Sequence, residues 1–343
     1  MPEMVDTVEL SSAVEQLRPP QGFLKQTYFG GTPILFDTLE VELQKRDRRR
    51  RVSPLVLPTV EGQVVQSRAF AAERYKPAYI KDKRHLQPRN FTTRAFGEAP
   101  TANLSAADRL QIAIDDEMLD QRNMWELRLE LMCAQLMTTG TITLTGEKYP
   151  TTVIDFQRNA LLRPSALIAG TQWGAAGVSI RGYLSTRSKV LSDVGGVSPK
   201  DVVMGLDAWE VFSADTTVRA VLDIRNAVQS PFDIGAQIGE GATYRGEIFG
   251  YRIWTYYGTF IDPITNAQQE IMPAKGCIIG SPDTVQGYVA FGAIEDVATM
   301  RAQPFFVKMY EEDDPSALML LFQSAPMPLA GWIDGASFQQ VLV

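Results

Sequence analysis

At 343 residues the chain is longer than one compact core usually holds, which points to two domains. Its make-up, 45% hydrophobic and 21% charged, is that of a globular protein, and a net charge of −7 excludes a protein that coats nucleic acid with its whole surface. No apolar run reaches the roughly 18 residues of a membrane-spanning helix, and the opening MPEMVDTVEL is acidic, unlike a signal peptide.

Residues 1–22 begin with a short amphipathic helix. Ser12 and Glu15 have capping-box spacing, Val8, Leu10, Val14 and Leu17 supply apolar groups, and Arg18-Pro19-Pro20 ends it. So short a helix is marginal alone in water. It needs a surface, either its own chain's or a neighbour's. Residues 23–60 are extended in character, with partial alternation at Phe36, Thr38, Val41 and Leu43. Lys45, Arg46, Arg48, Arg49, Arg50 and Arg51 form the sharpest charge run. They are candidates for contact with phosphate or an acidic protein partner, or else a solvated strand or turn.

Residues 62–96 have few aliphatics. From Arg68 to Arg94 they carry eight Lys or Arg against two acids, Glu73 and Asp82. Strand-like runs at Gln63–Arg68 and Asn90–Phe96 bracket a polar middle, so the block reads as a two-stranded excursion. Such a hairpin is barely stable alone, and its aromatic residues Phe70, Tyr75, Tyr79, Phe91 and Phe96 argue that it binds something.

Ser105 to Thr138 contains no Pro and no Gly and reads as one helix roughly 50 Å long. Ser105 with Asp108 is the start signal and Gly140 the stop. Apolar residues recur at Leu110, Ile114, Met118, Trp125, Leu129, Met132 and Leu136. Neighbours i and i+1 on a helix do not face each other. Asp115, Asp116, Glu117 and Asp120 are therefore a solvated or partner-facing stripe rather than paired catalytic carboxylates. Thr141–Leu144 and Thr151–Phe156 flank Gly146 and read as a hairpin or two short strands packed on this helix.

Residues 160–300 look like a separate mixed region. A second helix starts at Asp207 with capping-box spacing and runs on through Val218 to Ile224. Strand candidates are Val202–Met204, Tyr251–Tyr257, Gly276–Gly280 and Val285–Phe291, with a weakly patterned loop over 225–247. Long strands at Val297–Tyr310 and Ala317–Pro328 then flank an acidic tip, Glu311, Glu312, Asp313 and Asp314, and belong beside the long helix. The tail Trp332–Val343 is apolar and should dock.

Catalytic signatures are missing. The single histidine, His85, sits beside Arg84 in the basic excursion, and the chain has no GxSxG elbow and no Walker A pattern. Gly239-Glu240-Gly241-Ala242-Thr243-Tyr244 begins like GxGxxG but ends in Tyr and lacks a strand–helix frame. Cys133 and Cys277 lack metal-site spacing and read as buried thiols. No cofactor or metal is expected.

Local patterns do match a known family. Phe23-Leu24 with Phe36, Thr38 and Val41 looks like its arm. Ser53-Pro54-Leu55-Val56, Gly62, Arg68, Tyr79-Ile80-Lys81 and Pro88 look like its extended loop. Thr143-x-Thr145-Gly146-Glu147 resembles the hairpin after its long helix, and Gln323-Ser324-Ala325-Pro326 the end of its last long strand. In this order and spacing the chain resembles the lambda-type major capsid proteins (capsid protein E) of tailed bacteriophages, over essentially its whole length. The Lys45–Arg51 run is more basic than the resemblance leads one to expect.

The resemblance implies an α+β tailed-phage capsid fold of the Hong Kong ninety-seven type. Residues 1–60 would be the N-terminal arm and the start of the peripheral domain, and 61–97 the E-loop. Residues 98–159 and 298–330 would be the peripheral domain with its spine helix, 160–297 the axial domain, and 331–343 a docking tail. Hexamers and pentamers would enclose double-stranded DNA in an icosahedral shell, with a portal and with scaffold and decoration proteins as further partners. No membrane is implied, and the place of assembly would be the host cytoplasm. Arg68, Arg74, Lys76, Lys81, Lys83 and Arg84 would meet acids of an adjacent subunit, either Glu311–Asp314 or the Asp115, Asp116, Glu117 and Asp120 stripe. The alternative is an encapsulin-like nanocompartment shell enclosing protein cargo. A two-domain soluble enzyme and a nucleic-acid-binding module built on Lys45–Arg51 are weaker rivals.

Overall fold

The computed structural model describes residues 22–46, 52–56, 58–59, 61, 64–65, 70–88, 105–146, 149–220, 241–297, 299, 301–314 and 316–343, with 43–46 and 70–73 as backbone only. The expected helix around Ser12 and Glu15 lies outside these residues.

In chain order a short helix, α1 (Phe23–Tyr28), precedes β1 (Ile34–Leu35), β2 (Val41–Arg46), β3 (Phe70–Tyr75) and β4 (Ile80–Leu86). The long helix α2 (Ala106–Thr139) leads into the hairpin of β5 (Thr141–Gly146) and β6 (Tyr149–Asp155). Next come α3 (Ile180–Gly195), β7 (Asp201–Met204), α4 (Leu206–Ala214), β8 (Ala242–Ile248) and β9 (Tyr251–Tyr256). After them follow β10 (Thr259–Ile261), β11 (Gln268–Glu270), β12 (Gly276–Gly280), the single turn α5 (Pro282–Val285) and β13 (Gly287–Phe291). The chain closes with β14 (Phe306–Asp313), β15 (Ser316–Ser324), β16 (Pro326–Ala330) and β17 (Ser337–Gln340).

Helix α2 forms where its signals place it. Ser105 Oγ accepts from the Asp108 N–H (3.1 Å) while the Asp108 carboxylate accepts from the Ser105 N–H (3.0 Å), a reciprocal cap. Gly140 ends it at φ 72°, a left-handed conformation that favours glycine. Its buried face runs Ile114, Met118, Trp125, Leu129, Met132 and Leu136.

Two sheets frame α2. In the antiparallel sheet β14–β15–β4, residues alternate between faces. Val307, Leu320, Phe322 and Leu86 are buried, and Phe322 meets Trp125 of α2 at 6.3 Å between ring centroids. The other face carries Lys81, Lys83 and Lys308. In the sheet β17–β12–β7–β9–β8 the alternation divides two cores. Val203, Trp254, Tyr256 and Ile278 join the core around α1 and α2. Val202, Met204, Ile253, Cys277 and Ile279 join a second core with Ile180 and Leu184 of α3 and Phe212 of α4. One sheet therefore serves both cores, and the residues from Trp332 onward add β17 to its edge.

Several expectations are corrected. Residues 23–28 are helical rather than extended, because Phe23 and Leu24 bury against α2. Helix α3 has no counterpart in the sequence reading. The second helix is capped at Gly205, not Asp207, and breaks at Asp215, which is extended; residues 216–220, with Val218, are helical again. Residues 221–224 lie outside the described residues. Ala242–Ile248 is a strand instead of loop, and β14 begins at Phe306 rather than Val297.

The basic excursion is also built differently from the expected 61–97 hairpin. Strand β3 pairs with β2, Val41 opposite Tyr75 and Arg46 opposite Phe70, so the two-stranded arm spans 41–75. Strand β4 belongs to the long sheet, paired with β15 from Ile80–Ser324 to Leu86–Leu318. Its IKDKRHL sequence hides a strand, because its inward positions include Asp82 and Arg84, whose charges are matched inside the subunit.

Candidate functional site

The described basic residues expected on one excursion are distributed over four places. Arg74 is exposed on β3, 3.8 Å from its cross-strand partner Glu42. Lys76 and Lys81 line a cleft of about 550 Å³ at the base of the arm, with Tyr79, Tyr149 and Glu295. Lys83 lies on the outer face of the long sheet, 4.0 Å from Glu312 and 5.5 Å from the Tyr310 ring centroid. A hydrogen bond with the Tyr310 hydroxyl is the main cause that raises its pKa. Arg84 points inward. Its guanidinium donates to Asp120 (2.7 Å) and Asp82 (3.1 Å) and stands 3.7 Å from Glu117. Burial alone would lower the Arg84 pKa, but Asp82, Asp120 and Glu117 together raise it. The Arg84–α2 and Lys83–Glu312 contacts, expected between subunits, occur within one chain.

Of the acidic stripe, Asp115 accepts from Gln111 (2.9 Å) and Asp116 is exposed. Glu311, Glu312, Asp313 and Asp314 are all exposed where β14 turns into β15. Lys45 and Arg46 sit on β2, where only the backbone is described, and Arg48, Arg49, Arg50, Arg51 and Arg68 lie outside the described residues. Between β2 and β3, Val52, Leu55 and Val64 are almost wholly uncovered, Leu55 at 99% exposure. Among the described residues nothing covers them, and exposed apolar groups of this kind mark an interaction surface.

Sequence reasoning missed the residues that tie the subunit together. Glu130 is 1% exposed. Its two oxygens accept the Leu24 N–H (2.8 Å) and the Lys25 N–H (2.8 Å) at the start of α1, and one also accepts the Tyr256 hydroxyl (2.9 Å). Glu126, one turn earlier, pairs with Lys25 and lies 3.6 Å from Arg122. Burial pushes the Glu130 carboxyl above its ordinary pKa despite the bonds from Lys25, Leu24 and Tyr256. The available signal was position: 126, 130, 133 and 137 form one helical row with Cys133 and Met137. At the C-terminal end of α2, Arg158 donates to the carbonyls of Leu136 (2.8 Å), Met137 (2.7 Å) and Ile333 (3.2 Å). Both cysteines are buried free thiols. His85 stands on the outer face of β4 beside Gln87. Among the described residues no group of His, Cys, Asp and Glu could hold a metal ion.

The described residues show exposed apolar side chains between β2 and β3 and exposed acids where β14 turns into β15, but no metal-ligating cluster. Residues 6–334 match the family described as phage major capsid protein E. The chain belongs to that family. It is 23% identical over 333 residues to the major capsid protein of Escherichia phage lambda, covering 95% of this chain and 96% of the relative. It is 24% identical over 319 residues to that of Enterobacteria phage phi80, covering 90% and 89%. A crystal structure described as a capsid protein of an Escherichia coli CFT073 prophage superposes with a TM-score of 0.72 at 18% identity, over 98% of this chain and 99% of that one. The family is structural rather than enzymatic. Its members build the capsid of the phage virion, and this chain is such a self-assembling shell protein. The nanocompartment reading is not favoured by these relatives. No helix among the described residues is long and apolar enough to cross a membrane.

Proposed function

We propose that the chain is the major head protein of a tailed phage, assembling as hexamers and pentamers into an icosahedral shell around double-stranded DNA. The observation that carries this reading is the arm at 41–75, whose uncovered Val52, Leu55 and Val64 need a second copy to bury them. Head-to-tail contacts of this kind close into rings. The exposed Arg74, Lys76 and Lys81 meet acids of an adjacent subunit, foremost Glu311, Asp313 and Asp314, while Lys83 and Glu312 already face each other in one chain, and charge complementarity fixes the register. Arg68 belongs to the same set. Asp115 and Asp116 remain open to a neighbour, while Glu117 and Asp120 are engaged by Arg84 of their own chain. The run Lys45, Arg46 and Arg48–Arg51 contacts packaged DNA or an acidic partner, without base specificity. A portal, a scaffold and a decoration protein are the further partners, and assembly takes place in the host cytoplasm.

Electron microscopy of the purified, expressed protein tests the reading. Closed isometric particles are expected. A monodisperse low-mass species under all assembly conditions would overturn it, and protein cargo instead of DNA inside particles recovered from infected cells would restore the nanocompartment.

A further inference from the structure

The edges of the two sheets that frame α2 are not alike. In the five-stranded sheet, β8 breaks register between Tyr244 and Gly246. At the other edge, a loop covers β17, its Leu167 and Trp173 N–H groups donating to the carbonyls of Gln340 and Val341. In the three-stranded sheet, self-pairing of β4 about its middle residue would set Lys83 against its own copy. Bulges, covering loops and opposed like charges are the usual defences of a free edge.

Strand β14 has none of them. It pairs with β15 over all eight of its residues without a register shift and contains no proline. Among the described residues no third strand pairs with its outer edge. About 26 Å of strand is left open. Lys308, Tyr310 and Glu312 stand on one face, the face that carries Lys81 and Lys83. Laid antiparallel to itself about Tyr310, the strand sets Lys308 of each copy opposite Glu312 of the other, and Tyr310 opposite Tyr310. On the other face Glu311 falls opposite Met309 and Asp313 opposite Val307, so no like charges are directly opposed. The acidic tips come to lie at opposite ends of the pair. Inside its own chain Lys308 stands 3.5 Å from Asp296, and Glu312 stands 4.0 Å from Lys83. Pairing adds a second partner to each, and the charges alternate across the joint.

We infer that β14 is a two-fold contact between copies of this chain, through which two three-stranded sheets join into one. The contact is isologous, the same strand on both sides, and so differs from the head-to-tail contacts of the arm. Edge-to-edge pairing supplies backbone hydrogen bonds, and the Lys308–Glu312 pairs fix the register. The inference rests on self-assembly of the chain but not on the arm contacts proposed above.

Particles of the full chain carrying Tyr310→Cys test it. Directly opposed residues of an antiparallel pair stand close enough for a disulfide. Mild oxidation should give a reductant-sensitive band at dimer mass and none above it, since the native Cys133 and Cys277 are buried. Closed particles whose chains stay monomeric on a denaturing gel overturn the inference and leave the shell reading standing. A dimer band from a preparation without particles would uphold the contact though the shell reading had failed. A charge series decides the same point should Tyr310→Cys not fold. Lys308→Glu and Glu312→Lys each oppose like charges and should lower particle yield several-fold. The double variant Lys308→Glu/Glu312→Lys restores opposite charges across the two-fold axis and should return the yield to within about twofold of the unaltered chain. It also breaks both pairs inside the chain. If those pairs alone mattered, the double variant would assemble worst of the three, and that ranking overturns the contact.

Discussion

Arg158 donates to three carbonyls, two at the end of α2 and one in the closing segment at Ile333, and of these the Leu136 carbonyl also accepts the Gly140 N–H. Burial lowers its pKa to about 10, so it stays charged at neutral pH. Arg158→Ala should cost at least about 3 kcal/mol in urea unfolding, because buried acceptors are left unmatched. Arg158→Lys should recover only part of this, since an ammonium lacks the planar fork. Glu130, less than two turns earlier on α2, ties the same core to α1. In Glu130→Gln one acceptor oxygen becomes an amide NH2, a donor that faces an N–H group of α1, and a loss of about 1–3 kcal/mol is expected. The pH dependence has a definite sign. The folded carboxyl holds its proton to higher pH than the unfolded one does. Its contribution therefore falls as pH rises from the ordinary carboxyl range through the raised folded value. The stability difference between the unaltered chain and Glu130→Gln, measured at a series of pH values, should shrink over that window. A difference that grows with pH would refute the assignment.

Helix α2 shows what a sequence can disclose about an element. Its cap, its glycine stop and its apolar spacing are local, so its limits were legible to within one residue. Ser105→Ala should cost about 1 kcal/mol and speed hydrogen exchange in the first turn of α2, leaving Trp125 and beyond unchanged. The hairpin of β5 and β6 was legible for the same reason. Strand β4 was not. Its inward Asp82 and Arg84 look soluble until α2, distant in sequence, supplies Glu117 and Asp120. Helix α3 was hidden by Gly182, Ser185, Thr186 and Ser188, poor helix formers that its packing through Ile180, Leu184 and Leu191 outweighs. The arm at 41–75 was placed too late in the chain, because β2 carries no clear alternation and its pairing with β3 spans the basic run.

At the scale of the molecule, charge is sorted by face. The long sheet turns Arg84 toward α2 and Lys81 and Lys83 outward, which separates two otherwise similar substitutions. Lys81→Glu with Lys83→Glu should leave the subunit's unfolding transition in place and reduce shell yield in electron micrographs. Arg84→Glu should lower the transition itself, since it sets a carboxylate among Asp82, Glu117 and Asp120. Normal shells from the double lysine variant would remove these residues from the assembly surface. The five-stranded sheet carries a different consequence, one of timing during protein synthesis. Its edge strand β17 pairs with β12, and Val341 bonds to Lys275 and receives Trp173. Both cores share this sheet, so neither is complete while residues 337–341 are still to be translated. A chain still lacking them leaves the β12 edge unpaired, and the two cores close together rather than one after the other.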